Sequence, residues 1–276
     1  MFVYPPKYTK FIDLAFKGFF VHLSNNTNTN KMKKTLILIF LIIFNYNYGQ
    51  IIQGRVLKVD PLNLNKMKTA IAEKTKIYNS KEGSARFATF QILSGPQTNN
   101  LYRIQIADNI SEFDSSVSKE ELDYWWKTTG KIHEPLANRF WTVNKNATYI
   151  PEDYKMLNHR RVLIYKLIPG KEKDFWRYRT RLAKALKESG WKNRVGVLSC
   201  QSGCNGAWVQ VRYHHKDFAS MQKENSEMFP KVVEKYEEIY GEDSYEDDYI
   251  NISLSVSENI SNYQKRLTKL SSPSRN

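Results

Sequence analysis

The side chains of this sequence that could perform chemistry are few, and their spacing is not that of a metal site. Among its five histidines, no pair stands at the i, i+4 spacing of a helical metal site or in an HExxH pattern. His214 and His215 end an expected strand, so their rings should point to opposite faces. The acidic run Glu237–Asp248 lacks the spacing of a calcium-binding loop. The sequence therefore predicts no metal site. It contains no Gly-rich phosphate loop and no GxSxG elbow either, so it names no catalytic residue and no cofactor.

Five aromatic or histidine side chains are candidate ligand contacts. His133 follows an expected helix that carries Trp125 and Trp126, while Trp208 and Tyr213 stand on a later strand. Such rings combine a large apolar surface with one polar atom, which suits a ligand pocket as well as a core. The other interpretation is a loop histidine beside tryptophans that belong to the core.

The two cysteines, Cys200 and Cys204, flank a short expected hairpin loop, Gln201-Ser202-Gly203. Such a loop would place their Cα atoms roughly 5.5 Å apart, within disulfide range. We therefore predict a disulfide, with two free thiols as the alternative. Because the closed loop is short, the bridge should add only about 2 kcal/mol of stability. The Cys-x-x-x-Cys spacing is not that of a redox-active CxxC motif.

The N-terminal region is typical of an exported protein. Residues 1–31 end in a low-complexity Asn/Thr run and read as a non-native or disordered leader. Residues 32–49 then have the layout of a signal peptide: Lys33-Lys34, nine apolar residues in Leu36–Phe44, and a small residue before Gln50. The apolar run is too short to span a membrane, and no cysteine follows it to carry a lipid anchor. We predict a secreted or periplasmic protein without a stable membrane anchor.

The positive charge of the chain does not indicate a nucleic-acid partner. Removing residues 1–49 takes away six lysines and one aspartate, so the formal net charge falls from +14 to +9. The remaining basic residues are scattered over helix faces and the C-terminal region, and they form no recognisable nucleic-acid-binding module. A soluble basic surface is the simpler interpretation.

Residues 50–152 predict a β-α-β-β-α-β unit. Asp60-Pro61 should cap a helix, and Ser118 with Glu121 forms a capping box that should open another. Alternation of apolar residues predicts the strands. These strands are Arg55–Val59, Phe87–Leu93, Leu101–Ile106 and Phe140–Tyr149.

Residues 153–255 repeat this order more clearly. Asp217 should cap a long helix that Pro230 kinks or splits in two. The predicted strands are Arg161–Tyr165, Arg194–Cys200, Ala207–Tyr213 and Tyr249–Leu254. Residues 256–276 are Ser-, Asn- and Lys-rich, and they predict a polar basic tail with one solvated helix near Tyr263–Lys269.

Two such units predict an α+β fold made of tandem ferredoxin-like repeats. A four-stranded sheet with both helices on one face leaves its other, partly apolar face bare. The two copies can cover each other by packing sheet to sheet, which forms an intrachain pseudo-dimer. Self-association beyond this pseudo-dimer is left open.

The order of the elements resembles the dimeric α+β barrel superfamily, in the tandem form found among antibiotic-biosynthesis-monooxygenase-like and NIPSNAP-like proteins. Repeated strand starts carry the resemblance: Arg55-Val56-Leu57 matches Arg161-Val162-Leu163, and Ile104-Gln105-Ile106 matches Val209-Gln210-Val211. The resemblance implies relatives that include cofactor-independent monooxygenases and haem-degrading enzymes. In the latter a helix-borne histidine ligates iron beside a tryptophan, and His133 with Trp125 or Trp126 is loosely similar.

Two hypotheses about function remain. The first is an exported barrel that binds a small apolar molecule or a protein partner. The second is a cofactor-independent or haem-degrading monooxygenase that uses the inter-sheet cavity. A cavity lined by His, Tyr or Asn would favour the enzyme, whereas a cavity filled by Trp and Phe would favour the binding protein.

Overall fold

A computed structural model describes residues 50–115 and 117–273, so the predicted leader and signal peptide lie outside the described residues. The strands are β1 Ile51–Lys58, β2 Arg86–Ile92, β3 Leu101–Ala107, β4 Glu134–Val143, β5 His159–Leu167, β6 Val195–Ser202, β7 Trp208–His215 and β8 Val256–Arg266. Strands and helices follow one another in the order that the sequence predicts as far as β7, apart from the short extra helix at Glu112–Ser115, and the order differs after β7.

The helices cover the outside of these strands. They are α1 Leu64–Tyr78, α2 Glu112–Ser115, α3 Lys119–Thr129, α4 Glu172–Glu188, α5 Phe218–Lys223, α6 Phe229–Tyr240 and α7 Ser244–Leu254. A π-helical turn, Glu224–Met228, joins α5 to α6. None of the helices in the described ranges is long and apolar enough to cross a membrane.

The strands form a closed antiparallel barrel in the order β1-β3-β2-β8-β5-β7-β6-β4. We call β1–β4 the first half and β5–β8 the second half, and the strand order within both halves is fourth, first, third, second. Two seams join the halves. At one seam Phe90 of β2 lies opposite Arg266 of β8, and at the other Trp141 of β4 lies opposite Cys200 of β6. The molecule is therefore an α+β protein built on one closed barrel.

Strand alternation divides the side chains between the barrel interior and the helix-covered outer face. The interior holds large rings that include Phe90, Tyr102, Trp141 and Trp208. Outside the second half, α4 and α6 pack on the sheet around Phe175 and Tyr236, both fully buried, in a core with these other members: Leu182, Leu186, Val197, Val209, Val211 and Val232. A smaller core lies under α1 and α3.

The predicted helix starts are confirmed in part. The Asp60 carboxylate accepts from the Leu62 amide at 2.8 Å, but it caps a 3₁₀ turn, Pro61–Asn63, that precedes α1. Asp217 with Ser220 forms a complete capping box. Ser118 caps α3 by accepting from the Glu121 amide, but the Glu121 side chain pairs with another helix. Only the Ser118 half of the predicted capping box is therefore formed.

Two predictions at the end of the chain are wrong. Residues 249–254, predicted as the closing strand, belong to helix α7. The closing strand is β8, Val256–Arg266, which occupies the region predicted as a polar tail with a solvated helix. Tertiary contacts explain the difference. Asp248 of α7 accepts hydrogen bonds from Arg177, Arg181 and Tyr236, while β8 pairs with β5 over most of its length.

The predicted last strand of the first half is displaced. It was expected over residues 140–149, whereas β4 spans Glu134–Val143. Tyr149 makes only an isolated bridge to Val195. The register with β1, which continues back to a Lys58–Glu134 pair, fixes the earlier start.

The predicted disulfide between Cys200 and Cys204 is confirmed, with Cα atoms 6.5 Å apart. The surrounding hairpin differs from the expected three-residue loop. The β6–β7 pairing ends at Ser199 and Val209, and Cys200 pairs instead with β4. The bridge therefore anchors a longer loop against the barrel rim.

Candidate functional site

A pocket of about 260 Å³ lies between the outer face of the second half of the barrel and its helices. Strands β5, β7 and β8 form its floor, and α4, α7 and the start of α6 form its walls. Polar and aromatic side chains dominate the lining. The residues are Arg161, Leu163, Tyr165, Tyr178, Arg179, Trp191, Tyr213, His215, Asn225, Phe229, Tyr245, Tyr249 and Asn259.

Arg179 of α4 is the charged centre of this pocket and is only 3% exposed. Its Nη1 donates to the Tyr213 hydroxyl at 3.0 Å, and its Nη2 donates to the Tyr165 hydroxyl at 3.1 Å. Its guanidinium also lies 5.3 Å from the Tyr165 ring centre and 5.4 Å from that of Phe175. Rings at this distance stabilise a cation electrostatically.

The charge of Arg179 has no carboxylate partner among the residues that the structure describes. Its Nε is buried and makes no hydrogen bond. Burial disfavours the charge, but interactions with the hydroxyls of Tyr213, Tyr165 and Tyr178 outweigh burial and raise the pKa of Arg179 above its usual value. A buried cation without a counter-charge is costly. An anionic or acidic ligand in the pocket would offset that cost.

His215 supplies a base on the same pocket. The ring is 3% exposed, and its Nδ1 lies 2.6 Å from Oε2 of Glu224. Because a carboxylate only accepts, we assign the proton of the neutral ring to Nδ1. Nε2 is then an acceptor, and it is buried without a hydrogen-bond partner. A carboxylate that holds one ring nitrogen fixes the orientation of the ring and so the direction in which the other nitrogen points.

The π-helical turn positions Glu224 beside His215. The Phe229 amide donates to the carbonyl of Glu224, five residues earlier, and Pro230 follows without an amide proton. The predicted split of the helix at Pro230 is therefore confirmed. Glu224 also accepts from Asn193 at 2.6 Å, which fixes its carboxylate. Single π turns of this kind are frequent at functional sites.

Three tyrosines of the pocket have raised pKa values. Burial raises the pKa of Tyr165, and it raises the pKa of Tyr178 and Tyr245 as well. Tyr178 donates to the Tyr245 hydroxyl at 3.3 Å, and Tyr245 stacks on Tyr249, which is 53% exposed. These rings form an aromatic wall that runs from the buried arginine to solvent.

The first half places a buried cation at a similar position but leaves little space. Lys74 of α1 forms a buried ion pair with Glu121 of α3, and Glu121 also accepts from Asn79. Burial and repulsion from Arg103 lower the pKa of Lys74 to about 8, although Glu121 opposes the shift. The adjoining cavity is only about 40 Å³. The Lys74–Glu121 ion pair therefore takes up the space beside this cation and leaves only the small cavity.

The five predicted ligand contacts lie in three places. His133, Trp125 and Trp126 do come together, with ring centres 5.4 Å and 6.2 Å from His133. Trp126 is half exposed, however, and the His133 Nδ1 bonds the Thr129 carbonyl at 2.8 Å.

Of the other two, Trp208 lies in the barrel interior, and Tyr213 lines the helix–sheet pocket. Sequence reasoning missed Arg179 and Glu224, and it noticed His215 only as half of an adjacent pair. Strand alternation puts Tyr213 and His215 on the same face of the sheet, and this was the one signal in the sequence that the two side chains could share a site.

A haem group does not fit beside Trp125 or in the helix–sheet pocket of the described residues. The pocket beside Trp125 is about 40 Å³ and the helix–sheet pocket about 260 Å³. Both are smaller than the roughly 300–1,000 Å³ of clefts for drug-sized ligands, and a tetrapyrrole exceeds that class. In the described part of the chain, no group of three His, Cys, Asp or Glu side chains is placed to hold a metal ion.

Comparisons with known proteins give likeness of fold only. No protein-family model matches the sequence, and no curated protein matches it. A candidate monooxygenase from Fusobacterium nucleatum is similar at a TM-score of 0.57 and 12% identity, over 80% of this chain and 93% of the other.

Two further solved structures are similar over comparable shares. An anthrone oxidase-like protein gives a TM-score of 0.52 and 10% identity, over 80% of this chain and 92% of that one. A candidate monooxygenase from Lactobacillus acidophilus gives 0.51 and 9%, over 79% and 94%. The chain therefore shares the fold of these three proteins, in agreement with the fold that the resemblance to the dimeric α+β barrel superfamily predicted.

Proposed function

We propose that this protein is an oxygenase without a bound cofactor, and that its helix–sheet pocket deprotonates a small aromatic compound for reaction with dioxygen. One observation carries the proposal: the His215–Glu224 pair shares a pocket with the buried, carboxylate-free guanidinium of Arg179. A base and an anion-stabilising group on one cavity are the two parts that proton abstraction requires.

The first step transfers an acidic C–H or O–H proton of the ligand to Nε2 of His215. Arg179 and the hydroxyls of Tyr165 and Tyr213 stabilise the resulting anion, which then reacts with dioxygen. For a ring methylene, one oxygen atom becomes the new carbonyl and the other leaves as water with the two hydrogens. The substrate supplies all the electrons, so no other reductant is needed.

The comparisons support this proposal over simple binding. The fold is shared with candidate monooxygenases and with an anthrone oxidase-like protein. The pocket offers histidine, tyrosine and asparagine side chains beside Trp191 and Phe229; the composition expected of the enzyme was that of a cavity between the sheets and does not apply to this pocket. The pocket lies under the helices, however, and not between the two sheets as the sequence analysis expected.

Oxygen uptake with anthrone as the probe tests the proposal. We expect turnover above the protein-free rate, and His215→Gln should reduce kcat by about 10²–10⁴-fold because the general base is lost. Arg179→Met should lower kcat/KM. His133→Gln is the control, since His133 lies outside the pocket. Uptake at the protein-free rate, or equal rates for His215→Gln and wild type, would contradict the mechanism.

A second candidate function is binding of a small apolar molecule in the barrel interior. One end of the barrel has a cavity of about 250 Å³ whose walls include Val56, Ile92, Trp141, Ile164 and Trp208. A bound apolar probe would change the fluorescence of the two tryptophans. A Trp208→Phe variant should lose most of that change, and an unchanged wild-type spectrum would exclude this function.

We also infer that the two halves are tandem ferredoxin-like repeats in an exported protein. The shared strand order and the sequence offset of about 105 residues support the repeat. The Cys200–Cys204 disulfide is of the kind that persists in oxidising compartments. N-terminal sequencing of the protein from its native host should begin near Gln50, and an intact Met1 in the cytoplasm would contradict export.

A further inference from the structure

The barrel interior has a second cavity, of about 190 Å³, at the end opposite the apolar one. Its wall on the second half of the barrel is cationic, with Arg160 of β5, Arg212 of β7, Arg266 of β8 and Arg194 just before β6. Arg160 and Arg212 are 3% and 4% exposed. We call these four residues the arginine wall.

Within residues 50–115 and 117–273, the arginine wall has no acidic partner. No residue that lines the cavity is Asp or Glu, and none of the four arginines forms an ion pair within the described residues. Arg86, which also lines the cavity, differs because Asp108 pairs with it at 2.8 Å. Like charges that are buried together without a counter-charge destabilise a fold.

Neutral side chains satisfy the arginine wall only in part. Gln264 Oε1 accepts from Arg160 at 2.6 Å and 2.9 Å, and Gln210 accepts from Arg212 at 2.7 Å. The Nε atoms of Arg194 and Arg266 are buried and make no hydrogen bond. Burial and repulsion from Arg212 lower the pKa of Arg160. Buried donors left unpaired in a native structure call for a partner.

Apart from Arg86, the remaining lining of the cavity is neutral. Phe90 packs on the arginine wall, with its ring centre 3.5 Å from the Arg160 guanidinium. Apolar side chains of the first half and of β6 form the opposite wall: Ile52, Ala88, Ile104, Ile106 and Leu198. His214 is half-buried among the arginines, and desolvation and their charges hold its pKa well below the usual value, so it is neutral. Its Nδ1 lies 3.1 Å from the Tyr154 hydroxyl. The cavity therefore has one cationic wall and one apolar wall.

We propose that this cavity binds a small organic oxyanion, with its carboxylate or phosphate group on the arginine wall and its apolar part against Ile52 and Ile104. Guanidinium groups match both oxyanions through paired N–H donors. The unpaired Nε atoms of Arg194 and Arg266 would gain acceptors, and the like charges would gain a counter-charge. The site is separate from the helix–sheet pocket, since the two cavities share no lining residue.

Calorimetric titration with benzoate, phenyl phosphate, inorganic phosphate and neutral benzyl alcohol tests the proposal. An Arg179→Met background removes anion binding at the helix–sheet pocket, so failure of the oxygenase proposal would not affect the result. We expect benzoate or phenyl phosphate to bind, and their comparison identifies the head group. Benzyl alcohol should bind at least about tenfold more weakly, as should inorganic phosphate, which lacks the apolar part.

Four variants, one of them a control, locate the binding. Arg160→Met and Arg212→Met should each weaken binding by about tenfold or more, while Arg86→Met should change it little because Asp108 already neutralises that charge. Gly196→Leu keeps every arginine and fills the cavity, since a Cβ at Gly196 would meet no atom closer than 3.7 Å. If the arginine variants do not fold, Gly196→Leu still tests whether the anion binds in this cavity. The absence of binding by any anion, or equal binding by Gly196→Leu and its parent, would overturn the proposal.

Discussion

At the scale of single residues, buried charges in this protein are either paired within the fold or aimed into a cavity. Asp248 is the clearest paired example, at 3% exposure. It accepts from Arg177 and Arg181 at 2.8 Å each, and from the Tyr236 hydroxyl at 2.5 Å. Burial works against its charge, but the hydrogen bonds from Tyr236 and the two arginines outweigh burial and lower its pKa. This carboxylate therefore holds α7 on α4 and α6.

Replacing Asp248 by Asn should lower the free energy of unfolding at pH 7 by roughly 2 kcal/mol, since hydrogen bonds to a charged group are lost. Urea denaturation measures the change. Asp174→Asn is the control, because Asp174 also pairs with Arg177 but its side chain is 39% exposed. It should cost less than about 1 kcal/mol. Equal losses in the two variants would contradict the assigned role.

Asp248 also makes the stability of the protein depend on pH in the acid range. The pKa of Asp248 is lower in the folded state, so the unfolded state binds more protons as the pH falls. The stabilisation is complete above the usual carboxyl pKa near about 4 and is lost as pH falls through the lower folded value. The Asp248→Asn variant should therefore lose less stability than wild type below about pH 4.

At the scale of elements, the β6–β7 loop depends on its disulfide. Cys200 is held in the β4–β6 pairing, and Cys204 lies in the loop beyond it. Both pack against the interior core of the barrel. A Cys200→Ser/Cys204→Ser variant should lose about 2 kcal/mol, because its unfolded chain is less constrained. Denaturation with and without a reducing agent measures this loss, and wild-type protein insensitive to reduction would contradict it.

At the scale of the whole molecule, we expect the two halves to fold as one unit. Each half leaves two strand edges that only the other half pairs, at β2–β8 and at β4–β6. The chain after β8 also returns to the first half, where the Ser272 amide donates to the Phe87 carbonyl at 2.7 Å. Unpaired edges and a bare apolar face would be exposed in either half alone.

Fragments 50–152 and 153–276, expressed separately, should therefore aggregate or self-associate. Size-exclusion chromatography and thermal melts measure this outcome, with the intact chain as the control. Mixing the fragments should restore part of the cooperative melt. Two soluble monomeric fragments that each melt cooperatively would refute a single folding unit.

The sequence by itself determined the local elements and their order. Period-two and helical patterns, with caps at Asp60, Ser118 and Asp217, predicted most strands and helices, because these depend on neighbours in the chain. Pro230 predicted the helix break for the same reason, since a missing amide proton acts locally. The Cys200–Cys204 pairing also followed from spacing alone.

Only the tertiary structure decided the closing strand and the site. The 249–254 segment is helical because Asp248 finds two arginines of α4, and β8 is a strand because β5 offers it an edge. Arg179, His215 and Glu224 stand far apart on α4, β7 and the π turn, and no spacing in the sequence links them. Whether a buried charge is paired or free depends on which distant side chains the fold brings to it.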